Sequence, residues 1–295
     1  MSIVDCHVHL YPPEINRATE AWAAEAGEQL WAALCTRRRR DGRPVQGFPD
    51  TDALLRAMDE AGVERAVLLG WYWQTPAACT LQNRFYAECR RHYPDRFSVC
   101  ATVQPAAGPE ALAEVRWASE HDFAGLGELS PHTLGVAADD PGWEDVLALA
   151  GEMRLPVNLH VTDPQSRMYP GRIDTPLDDF LAWARRHPRT TFVLAHGGGR
   201  LPWHRPEVQA LDNVYYDTAA FPLLGATAQI PEWIEELGPE RLLWGTDWPL
   251  DLYPRHALRP AMAGFRADLE AVELTAAARA ALLGGNAQRV YRLPP

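Results

Sequence analysis

Short runs of apolar and β-branched residues recur along this chain, separated by longer segments in which apolar positions repeat at helical spacing. The runs are Ile3–Leu10, Ala66–Trp73, Phe97–Val103, Gly125–Leu129, Pro156–Val161, Thr191–Ala195, Val214–Thr218 and Arg241–Gly245, eight in all. Each is short enough for a strand and nearly continuous in its apolar character, as expected of strands buried on both faces of a parallel sheet. Between them, Leu81–Tyr93, Glu110–His121, Trp143–Met153, Leu177–His187 and Ile230–Leu237 have the length of crossover helices. Thr51–Ala61 places Leu54, Leu55 and Met58 on one helical face, with Asp50 as N-cap and Gly62 as stop. Ala276–Leu283 reads as a last helix.

Eight such strands in a chain of 295 residues favour a closed (β/α)8 TIM barrel over an open doubly wound sheet. No Gly-x-Gly-x-x-Gly follows the first run, so a dinucleotide site lacks its main support. No boundary or low-complexity tract divides the chain, and residues 1–295 are expected to form a single domain. One segment breaks the pattern: residues 11–49, a long insertion after the first strand. It holds Ala18–Leu34, which has the composition of a helix, and the basic run Arg37–Arg40. A loop of this length in a compact domain often covers a site. The Arg run reads first as a solvated face, with an anion site as the alternative.

Composition narrows the partners. A net charge of −11 argues against nucleic acid or an anionic membrane surface, and no apolar stretch approaches the ~20 residues of a membrane span. The start of the chain runs directly into a strand bearing histidines, unlike a signal peptide. The five cysteines are scattered and odd in number, which fits a reducing cytoplasm with no disulfide framework. All 28 basic residues are Arg. Schiff-base chemistry, a Lys base and a carbamylated Lys bridging two metals are therefore excluded. A small-molecule substrate is the expected partner.

Against this background the polar residues at strand ends stand out. Asp5-Cys6-His7-Val8-His9 puts His7 and His9 on one face of the first strand, where they could share one metal ion. Asp5 shares that face, and is expected to orient a ligating imidazole. Later strands end in Glu128, His160, His196 and Asp247. Each alone has an ordinary reading, as a hydrogen-bonded core residue or a helix cap. Six imidazoles and carboxylates at the same end of five apolar strands are a different matter, because a charge there is costly unless paired or ligated.

On these residues the chain resembles the amidohydrolase superfamily, in the branch that includes the aminocarboxymuconate-semialdehyde decarboxylase-like proteins. The stretches that carry the resemblance are Asp5–His9, Val157–His160, Leu194–Gly198, Gly245–Pro249 and Gly285–Tyr291, and it spans essentially the whole chain. The resemblance implies that His7, His9, His160 and Asp247 hold a divalent metal, usually zinc, with manganese or cobalt as alternatives. It implies that His196 is a second-metal ligand or an acid/base group, and that Glu128 is a further ligand if two ions are bound. Relatives of this kind are often homodimers.

Three functions follow as expectations. The first is a hydrolase in which a metal-activated water cleaves an amide, lactone or ester, with Asp247 as proton acceptor and His196 beside the developing oxyanion. Glu128 tilts the reading this way, since two metals suit water activation. The alternative is non-oxidative decarboxylation of an aromatic or unsaturated carboxylate, with Asp247 or His196 as proton donor. Its cationic anchors would come from Arg200, Arg205, Arg255 or Arg37–Arg40, and its stacking surfaces from Trp71, Tyr72, Trp73, Trp248 and Tyr253. The third, a metal-holding protein without catalysis, is disfavoured by the intact ligand set.

Overall fold

A computed structural model describes residues 2–254 and 261–294. Its eight strands are β1 (Val4–Val8), β2 (Arg65–Leu68), β3 (Phe97–Ala101), β4 (Gly125–Leu129), β5 (Val157–Leu159), β6 (Phe192–Leu194), β7 (Val214–Asp217) and β8 (Leu242–Leu243). All pair in parallel, in chain order from β1 to β8. The sheet closes through backbone bonds from Cys6 N to Trp244 O (2.9 Å), Asp247 N to His7 O (2.9 Å) and His9 N to Trp248 O (2.7 Å). This is the expected (β/α)8 barrel. The strands are shorter than the apolar runs, because Leu69–Trp73 and Val161 leave the sheet at its C-terminal end.

The crossover helices pack on the outside, for example Pro76–His92, Pro109–Glu120, Pro141–Met153, Leu177–Arg186 and Ile230–Leu237. Proline at the first turn recurs in them, where its missing N–H costs nothing. In Thr51–Ala61 the Asp50 side chain accepts from Ala53 N and Gly62 ends the helix in the left-handed region, as its sequence predicts. The last helix differs from expectation. Ala276–Ala280 runs into a widened turn, Ala281–Gly285, and a second helical piece, Asn286–Val290.

The insertion is structured. Ala18–Leu34 forms not one helix but two, Thr19–Ala26 and Gln29–Cys35, because Gly27 adopts φ +79° and terminates the first. Its aromatic residues pack with those following β2 in a cluster of Tyr11, Trp31, Trp71 and Trp73, with Trp22 against it. After the helices, Arg39 N donates to Arg43 O and Val45 N to Arg37 O, forming a small antiparallel ribbon. All five cysteines are buried free thiols. Among the described residues no helix is long and apolar enough to cross a membrane.

Candidate metal centre

The strand ends at the C-terminal mouth of the barrel bring the predicted side chains together. His7 on β1 and His9 directly after it, both buried, place their Nε2 atoms 3.2 Å apart. The opposite ring nitrogens are committed elsewhere. His9 Nδ1 lies 3.0 Å from the Leu69 carbonyl, which can only accept, so this nitrogen carries the proton. His7 Nδ1 lies 2.9 Å from Asp217 Oδ2. With both Nδ1–H groups donating, the neutral rings turn two lone pairs toward each other across 3.2 Å. That arrangement needs a cation or a proton between them, and it fits a metal-binding pair.

Carboxylates surround the pair. Asp247 Oδ1 is 3.4 Å from His9 Nε2 and 3.8 Å from His7 Nε2. Glu128 Oε2 is 3.6 Å from His9 Nε2 and 4.0 Å from His7 Nε2. Glu128 Oε1 points to a second group: His160 Nδ1 at 2.9 Å and His196 Nε2 at 3.5 Å. His196 Nδ1 donates to the Ala219 carbonyl (3.1 Å), leaving Nε2 free of its proton in the neutral ring. The expected ligands thus form two donor groups that share Glu128. His160 stands with Glu128 and His196, while Asp247 faces the His7–His9 pair.

The charge balance favours a cation. Burial alone would lower the pKa of His7, yet Asp217, Glu128 and Asp247 push it up to about 10. His196 is raised to about 9, against burial, by Glu128 and Asp247. Burial works to raise Glu128, but His160, His196 and His7 hold it well below the ordinary carboxylate range. The same field would favour a divalent ion. Histidine nitrogen and carboxylate oxygen suit zinc or manganese. Two of these residues, His196 (φ 57°) and Asp247 (φ 68°), occupy the left-handed backbone region, a strain that collects at functional positions.

One expected role moves to another residue. Asp5 does not orient an imidazole; it accepts from the backbone N of His7 (3.1 Å) and from Thr246 N (3.0 Å) and Oγ1 (2.6 Å). It ties β1 to the chain after β8, and burial pushes it up to about 7 despite those donors. The orienting carboxylate is Asp217, at the end of β7. It also accepts from Asn158 Nδ2 (3.0 Å) and from the backbone N of His196 (3.1 Å) and Ala219 (3.0 Å). Burial would raise its carboxyl, but His7 and these donors hold it below its ordinary range. The signal was present in Val214–Asp217, another apolar run ending in a lone acid.

Above the donors opens a cavity of about 720 Å3, lined by Trp71, Tyr72, Glu128, His160, His196 and Asp247 at its buried end. The insertion contributes Leu34, Cys35, Arg37, Arg39, Val45 and Gln46 to its wall. The Arg run divides by strand alternation: Arg37 and Arg39 line the cavity, while Arg38 and Arg40 are exposed. Arg37 stacks over the Tyr169 ring at 4.6 Å, and Arg39 bonds the Asp251 carbonyl at 2.8 Å. Other expected anchors are engaged elsewhere, Arg200 with Gln229 and Glu232 and Arg205 with Asp178. Arg255 lies outside the described residues. Of the expected stacking residues, Trp71 and Tyr72 line the cavity. Trp73 packs against the insertion, Trp248 is in the core, and Tyr253 bonds Asp268.

Fold and donor set together define a barrel with a metal-competent mouth. The sequence matches the amidohydrolase family over residues 4–293, and the chain belongs to that family. No curated protein matches it significantly. Among solved structures it is similar to 5-carboxyvanillate decarboxylase from Sphingomonas paucimobilis (19% identity, 99% of both chains, TM-score 0.74). It is also similar to 2,6-dihydroxybenzoate decarboxylase from Rhizobium (19%, 99% of both chains, 0.70). A third, 5-carboxyvanillate decarboxylase from Novosphingobium aromaticivorans, was solved with manganese and 4-hydroxy-3-methoxy-5-nitrobenzoic acid (15%, 99% of this chain and 96% of that one, 0.74). These neighbours are decarboxylases, and they overturn the expectation of amide, lactone or ester hydrolysis in favour of its alternative. The ion named with the third is manganese, so zinc gains no support of its own.

Proposed function

We propose that this chain is a metal-dependent decarboxylase of aromatic or unsaturated carboxylic acids. The observation that carries the reading is the convergence of His7, His9, Glu128 and Asp247 beneath a cavity walled by Arg37, Arg39 and two aromatic faces. The neighbours' names and their benzoate ligand support it. His7, His9 and Asp247 would hold the ion, with Glu128 and His160 beside them. When bound, the ion supplies a Lewis-acidic charge that draws electron density from a carboxylate and a neighbouring oxygen.

The chain's own residues do the rest. Trp71 and Tyr72 offer faces on which a planar acid can lie, and Arg37 and Arg39 supply the cations that attract an anionic substrate into an otherwise acidic protein. As the carbon–carbon bond breaks, its electron pair stays on the ring or vinyl carbon and carbon dioxide leaves. That carbon takes a proton from a protonated Asp247 carboxyl or from the Nε2–H of a protonated His196 imidazolium, both at the cavity surface. His196 is aimed by its bond to Ala219 O. Residues 11–49 act in this reading as a cover within a single domain, contributing Leu34, Cys35, Arg37, Arg39, Val45 and Gln46 to the cavity wall.

The test is carbon dioxide release from a panel of hydroxybenzoates with manganese supplied. Asp247→Asn and His196→Asn should each lower kcat by about 10²–10⁴-fold while leaving the fold intact. A panel that yields no carbon dioxide, with the metal shown to be bound, would refute the proposal.

A further inference from the structure

Scattered surface leucines need no explanation. Here they are not scattered. Among the described residues the exposed large apolar side chains are Met168 (78% exposed), Ile173 (37%), Leu223 (36%) and Leu224 (38%). All belong to the segments that follow β5 and β7, and Ile173, Leu223 and Leu224 line the same cavity that ends in the metal donors. Leu34 lines it from the insertion and closes on Gly171, where a Cβ would meet its side chain at 2.8 Å. An apolar patch continuous with a ligand cavity marks a binding surface.

The cavity is also large for a one-ring acid. Its volume of about 720 Å3 lies in the upper half of the ~300–1,000 Å3 range of pockets that hold drug-sized ligands. A single ring set on Trp71 and Tyr72 near His160 fills only part of that volume. Its wall combines imidazoles and carboxylates with the hydroxyl and amide groups of Thr162, Gln165 and Ser166, the charged Asp163 and Arg167, and the apolar Ile173, Leu223 and Leu224.

We infer that the substrate is an acid extended, opposite its reacting carboxylate, by an apolar arm received by Ile173, Leu223 and Leu224. The inference rests on the decarboxylase reading for the acid end and on the rim for the other. The arm explains why these side chains stay exposed: they are desolvated by ligand and not by a neighbouring element.

The experiment is calorimetric binding of 2-hydroxybenzoate and 4-butyl-2-hydroxybenzoate to the manganese-supplied chain, with carbon dioxide release followed in parallel. The butyl acid should bind at least tenfold tighter, given roughly threefold to fourfold per buried methylene. In the double variant Leu223→Asp/Leu224→Asp the ratio of the two dissociation constants should fall toward one, and Leu223→Met/Leu224→Met should restore it. Equal binding of both acids to the unaltered chain overturns the apolar arm and leaves decarboxylation standing. A preferred butyl acid that releases no carbon dioxide overturns decarboxylation and leaves the arm standing. If the Asp variant instead converts a dimer to a monomer with the ratio intact, the rim belongs to a second copy and the inference is wrong.

Discussion

Asp217 illustrates how one buried carboxylate organises the site. It accepts four donors at once, and the shortest comes from His7 Nδ1 at 2.9 Å. Fixing that proton on Nδ1 turns the His7 Nε2 lone pair toward His9. Asp217→Asn removes the charge and turns one acceptor oxygen into an NH2 group, leaving two of the four donors unpaired, so metal affinity should fall about 10–100-fold, as read by competition with a chelating dye, and stability by about 1–3 kcal/mol. Unchanged affinity would show that His7 needs no such partner. The meeting of these side chains at one mouth was legible, because six imidazoles and carboxylates ending five apolar strands fall at the same end of a barrel. Their support was not. Asp5 and Asp217 look alike in sequence, each a lone acid in an apolar run, and only the closed barrel decides between them. There the backbone N–H groups of His7 and Thr246 claim Asp5, while Asp217 reaches His7 from β7, two strands away across β8.

At the scale of elements, alternation of apolar runs and amphipathic segments fixes the barrel, and the helix at Thr51–Ala61 carries its own start and stop signals. The insertion could not be read the same way, since its partners are distant in sequence. Buried Glu28 holds it to the segment after β2, accepting from Gln74 N (2.8 Å), Thr75 N (2.9 Å) and Thr75 Oγ1 (2.8 Å). Glu28→Ala leaves two backbone donors without that acceptor. It should cost about 3 kcal/mol and open residues 11–49 to protease before the barrel unfolds; cleavage no faster than in the unaltered chain would contradict this. A second tie joins Pro141–Met153 to Leu177–Arg186 and the residue after it. Glu144 accepts from Arg186 (2.5 Å) and His187 (2.7 Å). Burial would raise its carboxyl, but these partners hold it below the ordinary 4.5. A carboxyl lowered in the folded state stabilises above its unfolded pKa, and that contribution is lost as pH falls through the folded value. Glu144→Gln should therefore lower stability by ~1 kcal/mol at pH 7, and by progressively less as the pH drops below about 4.5, in urea titrations across that range.

For the whole molecule, the barrel sets where chemistry happens and the loops set which chemistry. Hydrolysis and decarboxylation use the same histidines and carboxylates, so the reaction was the part least legible from strand ends. In the proposed function the wall above favours decarboxylation: Arg37 and Arg39 line it from a ribbon, and Trp71 and Tyr72 line it beside the donors. Those contacts depend on how residues 11–49 fold, which no local pattern states. In the proposed function an acid loses carbon dioxide at this mouth and its carbon is reprotonated. The direct test is turnover of a hydroxybenzoate in D2O by the manganese-supplied chain, with the product analysed by mass spectrometry and NMR. One deuterium is expected, placed at the carbon that bore the carboxylate, with carbon dioxide formed in equal amount and both abolished by removing the metal with a chelator. Loss of the acid without carbon dioxide, or product with no deuterium at that carbon, would contradict it.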